Sequence, residues 1–189
     1  MKSLINGTIL FLILVMPIAA QTGDVTKEPG YVDFGSLTEF EKSTGVTEVI
    51  LEADLLSALA QISDDEDPNI MSVLDGLKLV KANVFKVDDS NRDNLLSKIN
   101  SIDSKLSGTS WKRIVKMRGE DEAANVYIKL NSKKQIIGLV VTSLESGGDA
   151  AFVNIVGTID LATIGKLGKK FNIPHLEGLK HHRDKKDED

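Results

Sequence analysis

The sequence predicts an α+β domain in which an antiparallel meander sheet is joined by two earlier strands, with helices packed on one face. Three observations carry this. From Ser110 onward, apolar residues recur with period two in four segments separated by polar, glycine-containing links, and short links suit antiparallel neighbours. Before that point, two β-branched runs alternate with segments whose apolar residues recur at helical spacing. The 189 residues include no cysteine and 41% are hydrophobic, so a single core must be held by packing alone.

The elements follow in order. Residues 1–20 have a basic start at Lys2, a short apolar middle and small residues at Ala19-Ala20, the parts of a secretory signal peptide. The apolar run is interrupted by Asn6-Gly7-Thr8 and is short for a membrane span. Cleavage after Ala20 is expected, with no stable membrane insertion afterwards. Residues 21–30 are polar, contain Pro29-Gly30 and read as a linker. A single α+β domain spans residues 31–172. It opens with Tyr31-Val32-Asp33-Phe34, which alternates polar and apolar, and a Ser36–Glu39 capping box. Residues 46–51 form a first strand. Asp54 starts a helix with Leu55, Leu56, Leu59 and Ile62 on one face. Asp67-Pro68 opens a second short helix carrying Ile70, Met71, Val73 and Leu74, closed by Gly76.

Residues 77–87 form a second strand. Asp88-Asp89-Ser90 cap a long helix whose stripe is Leu95, Leu96, Ile99, Ile102 and Leu106, with Gly108 as its stop. The meander strands are residues 111–118, 124–130, 135–144 and 151–159. The stretch Ile136-Ile137-Gly138-Leu139-Val140-Val141 is apolar at both parities, as a central strand covered on both faces would be. Asp160 caps a last helix with Leu161, Ile164, Leu167 and Phe171. Residues 173–189 are a charged tail with too few apolar residues to bury, and read as disordered.

Composition narrows the function classes. The net charge is −5, and the signal segment carries only the cation Lys2, so the remainder is more acidic still. That argues against nucleic acid as a partner. The only histidines, His175, His181 and His182, lie at or beyond the end of the folded region, so a serine–histidine or metal centre has no rigid support there. A phosphate loop fails, because Asp160 stands where its first glycine belongs and Leu167 where Ser or Thr belongs. A calcium loop starting Asp89-x-Asn91-x-Asp93 fails at Asn94 and Asn100. No catalytic residue, metal site or cofactor is assigned. Paired carboxylates for hydrolysis stay open as an alternative, since sequence cannot place them.

One pattern points to binding. In the meander, one parity is apolar (Val126, Ile128, Leu130; Val153, Ile155), and the other carries Tyr127 and Lys129 beside Lys112 and Lys116. Lys112, Lys116, Tyr127 and Lys129 are therefore the candidate binding residues, a basic strip with an aromatic in it. Ile114 shares parity with both flanking lysines, which leaves the first meander strand ambiguous.

Four fragments carry a family resemblance: Pro29-Gly30-Tyr31-Val32-Asp33-Phe34-Gly35, Gly76-Leu77-Lys78, Gly138-Leu139-Val140-Val141 and Asn154-Ile155-Val156-Gly157-Thr158-Ile159-Asp160. Over roughly residues 29–168 the chain resembles domain-of-unknown-function family 4252, small exported bacterial proteins. The resemblance implies export to the periplasm or beyond and a single domain; it supplies no catalytic residues. The expected function is a non-catalytic binding or interaction domain of the bacterial envelope, with an envelope protein or anionic ligand as partner. The alternative that the resemblance implies is a regulatory partner of a membrane-bound, sigma-factor-linked signalling protein.

Overall fold

The computed structural model describes residues 23–41, 45–62, 74 and 76–159. The expected signal peptide, second short helix (Leu74 apart), last helix and tail lie outside the described residues. Six strands form one antiparallel sheet. They are β1 (Val46–Glu52), β2 (Leu77–Lys86), β3 (Trp111–Arg118), β4 (Glu122–Leu130), β5 (Ile136–Glu145) and β6 (Asp149–Ile159). Their order across the sheet is β1-β2-β6-β5-β4-β3. The meander is therefore β3 to β6, and the two earlier strands extend it past β6. Helix α1 (Ala53–Ile62) follows β1, and helix α2 (Arg92–Leu106) lies between β2 and β3.

Both faces of the sheet are buried. On one, Leu56 and Ala60 of α1, with Leu74, pack on Val80, Ala82, Val126, Leu139, Val141, Val153 and Ile155. On the other, Leu95, Ile99, Ile102 and Leu106 of α2 pack on Phe85, Tyr127, Val140, Leu144 and Phe152. The expectation of helices on one face is thus corrected. Strand period two sends consecutive apolar residues to opposite sides, and a sheet apolar at both parities needs a cover on each. The periodic face of α1 is also shifted: Leu56 is fully buried, whereas Leu55 is exposed.

Residues 30–40 complete the α2 face. Val32 and Phe34 are buried between exposed or half-buried neighbours, as the alternation in sequence requires. No strand takes them; instead Phe34 packs on Phe152 and Phe40 on Phe85, with ring centroids 6.1 and 5.6 Å apart. The Ser36–Glu39 box is a single turn, closed by Phe40 N–H donating to the Leu37 carbonyl.

Asn154, wholly buried in β6, locks this segment down. Its Oδ1 accepts from Val32 N–H at 2.8 Å, and its Nδ2 donates to the Gly30 and Leu139 carbonyls at 3.0 and 3.1 Å. Beside it, Gly30 touches Gly138: a Cβ on Gly138 would sit 2.7 Å from both the Gly30 Cα and the Trp111 ring. Nearby, Lys78 pairs with Glu28 at 2.6 Å. Glu28 and Gly30, at the end of the segment 21–30 expected as linker, are therefore tied to the sheet. At the end of β6, Gly157 has φ +127° and faces Gly76, which a side-chain-bearing residue would resist. Fragments 29–35, 76–78, 138–141 and 154–159 of the sequence thus lie against one another in the fold.

The turn before α2 also differs in detail. Asp88, rather than Asp89 or Ser90, organises it: its Oδ1 accepts from the backbone N–H of Ser90 and Asn91 and from the Ser90 hydroxyl. Asn91 is the N-cap, and its side chain bonds back to Asp88 N–H and the Lys86 carbonyl.

Candidate functional site

The four candidate residues lie on β3 and β4, at one rim of the sheet, but they do not share a face. Opposite pairs are Trp111–Lys129, Lys112–Ile128, Arg113–Tyr127 and Lys116–Asn125. The register shifts between Arg113 and Val115, so Ile114 is an extra residue in a β-bulge. The bulge resets the parity. Lys112 stands in the row of Ile128, on the α1 face, whereas Lys116 stands on the α2 face with Tyr127 and Lys129. The ambiguity over Ile114 is resolved by the bulge, which turns it outward at 44% exposure.

Tyr127 is not a surface aromatic. It is 2% exposed, with its ring in the α2 core and its hydroxyl beneath α2. The hydroxyl donates a short hydrogen bond to the Asp103 carboxylate and lies 3.2 Å from the Ser107 hydroxyl. Arg113 bridges the same group, donating to Asp103 at 2.7 Å and to the tyrosine oxygen at 3.3 Å. Burial pushes the Asp103 carboxyl up, but hydrogen bonds from Tyr127 and Arg113 outweigh it and hold the carboxyl below its usual value. The Tyr127 phenol is raised, first by burial and then by its bond to that carboxylate. The trio clamps α2 to the β3–β4 hairpin. A parity argument missed it, because it took one face of the sheet to be wet.

Lys129 is half-buried, its ammonium 5.6 Å from the centre of the Trp111 ring, a cation–π arrangement within the strand pair. Arg118 donates to Asn100 of α2 at 2.6 Å, and Arg92 to the Glu120 carbonyl at 2.7 Å. These two arginines, with Leu96, Asn100, Glu120 and Glu122, line a small cleft between α2 and the β3–β4 turn. Exposed along β3 are Lys112, Arg113, Ile114, Lys116 and Arg118, of which the two arginines are bonded to α2, and among the described residues β3 pairs only with β4. What remains of the basic strip is an open strand rim with two lysines flanking an isoleucine.

A protein-family model described as a domain of unknown function, DUF4252, matches residues 40–167, which is more than half of the chain. The chain belongs to this family. No curated protein and no solved structure matches it. The DUF4252 match takes in all six strands and both helices, and stops short of Gly30, Val32 and Phe34, which close the α2 face. Among the described residues, no group of three or more His, Asp or Glu side chains is placed to hold a metal ion. No helix among them is long and apolar enough to cross a membrane.

Proposed function

We propose that this DUF4252 protein is a binding domain of the bacterial envelope, and that its contact surface is the β3 rim. The observation that carries the reading is the exposure of Lys112, Ile114 and Lys116 on a strand whose outer side has no neighbour among the described residues. Unpaired backbone groups give such a rim affinity for an extended chain, and the lysines select for acidic side chains on it. Export rests on the signal-like residues 1–20 and on the family resemblance. Asp103, the carboxylate most entangled with other side chains, is held ionised by Tyr127 and Arg113, which suits a clamp better than a proton donor.

The test uses a fluorescent peptide alternating Glu and Val. Binding should weaken as salt rises, since exposed charges are screened over about 8 Å at physiological ionic strength. Lys112→Glu with Lys116→Glu should lower affinity at least tenfold at an unchanged melting temperature. Equal affinity in the double variant would remove the rim as the contact surface.

A further inference from the structure

The sheet has two rims. Among the described residues β1 at one end and β3 at the other each have one strand neighbour. The two rims are opposite in charge. On β1, exposed Glu48 and Glu52 flank Ile50, which is 46% exposed; on β3, exposed Lys112 and Lys116 flank Ile114, which is 44% exposed. β1 pairs with β2 in unbroken register from Val46 to Glu52, and it contains no lysine, proline or bulge, the devices that usually blunt a rim.

The topology also fixes direction. Every neighbouring pair in the sheet is antiparallel, so β1 and β3, an odd number of steps apart, run in opposite directions. A second copy set beside the first in the same orientation therefore meets it as an antiparallel pair, β3 against β1, with each face continuing into its like. Glu48 and Lys116 end the same cross-strand row, through Asn83, Phe152, Thr142 and Asn125. Such a neighbour brings Lys116 opposite Glu48 on the same face. A slip of two residues either way brings Arg113 or Arg118 there instead. Pairing like with like fails: two β1 strands centred on Ile50 oppose Glu48 to Glu52, and two β3 strands oppose cation to cation.

We propose that β1 of one copy is a strand that β3 of another copy binds, so that the protein associates head to tail with itself. The proposal rests on the binding reading of the β3 rim and names its partner. Lys116 and the bulge of β3 act as the filter, admitting a strand with an acid at that place and rejecting others, while Lys112, on the α1 face, ends the row of Leu51. The contact is heterologous and does not close on itself. Strand twist of about 20–25° per step turns each six-stranded copy by about 120–150° relative to the last, giving an open helical row. A single strand pair is small beside a stable interface, so assembly is reversible and grows with concentration.

Sedimentation of the purified protein at rising concentration tests this. Wild type should form a ladder of species that shortens in high salt. Ile50→Lys, at an exposed site, places a cation opposite Arg113 of the neighbour and should be monomeric, as should Lys116→Glu. An equimolar mixture of the two variants retains one intact β3 rim and one intact β1 rim, and should give heterodimers and nothing larger. Circular dichroism and melting curves confirm that each variant is folded. Wild type that stays monomeric, oligomers that persist in both variants, or a mixture that stays monomeric or grows beyond dimers would each overturn the proposal. Ile50→Lys leaves β3 intact and should still bind the acidic peptide. Peptide binding without self-association removes this inference alone, and loss of peptide binding by wild type removes the binding reading with it.

Discussion

A tyrosine hydroxyl is worth more than its size suggests when it lies under a helix and meets a carboxylate that the helix carries. Tyr127→Phe keeps the ring in the α2 core and removes only the bonds to Asp103, Ser107 and Arg113. The expected loss is about 1.5–3 kcal/mol at pH 7, the range for a hydrogen bond to a charged group. The Asp103 carboxyl titrates lower folded than unfolded, so its contribution is complete above the ordinary carboxylate value of about 4 and is lost as pH falls through the folded value. Urea titrations of both proteins at pH 7 and pH 3 should therefore show the gap narrowing in acid; an equal gap at both would detach it from the carboxylate. Asn154 is the second residue on which much depends. Asn154→Ala takes the side-chain partner from the Val32 N–H and the Gly30 carbonyl inside the protein, and one donor from the Leu139 carbonyl. A loss of about 3 kcal/mol or more is expected, since each buried orphan costs about 1–3 kcal/mol. Hydrogen exchange at the Val32 amide should accelerate with it, and an unchanged rate would show that the segment is held by its aromatics alone.

Among the elements, β5 is the one whose place was plainest in sequence. Its apolar residues at both parities require a strand with neighbours and covers on all sides, and it lies between β4 and β6 with Leu139 and Val141 on one core and Val140 and Leu144 on the other. Leu139→Ala should cost about 2–5 kcal/mol by chemical denaturation, the range for a cavity in a packed core. A cost under about 0.5 kcal/mol would show that the site collapses around the smaller side chain. The same two-sided burial hid the candidate site. Tyr127 and Asn154 alternate with aliphatics and so read as outward-facing, yet each is buried because α2 and residues 30–40 cover that face. The bulge at Ile114 was equally illegible: nothing in Trp-Lys-Arg-Ile-Val-Lys announces an extra residue, and its effect is to divide Lys112 from Lys116. Strand existence is written in local alternation, whereas the identity of the covering layer is written in contacts more than a hundred residues apart, such as Val32 with Asn154.

At the scale of the molecule, the two cores need covers from different parts of the chain, and the cover of the α2 face begins before the family match does. A chain lacking residues 23–40 loses Phe34 and Phe40 from Phe152 and Phe85. It should bind a hydrophobic dye at pH 7 where the whole protein does not, and equal dye fluorescence would show that the segment is dispensable for covering the sheet. The strand order has a further consequence in time. β2 lies between β1 and β6, the first and last strands along the chain. A chain emerging N-terminus first, from a ribosome or a translocation pore, delivers β2 long before the strand that will shield its inner side. Until β6 arrives, the antiparallel pair of β1 and β2 has an inner flank with no strand to close it, and each later strand extends a separate meander. The two halves join in one late step across a wide sequence gap, the kind of closure that slows folding. A chain delivered in this way therefore passes through an interval in which β2, an interior strand of the finished sheet, is an open edge, and arrest anywhere before residue 149 would leave it there.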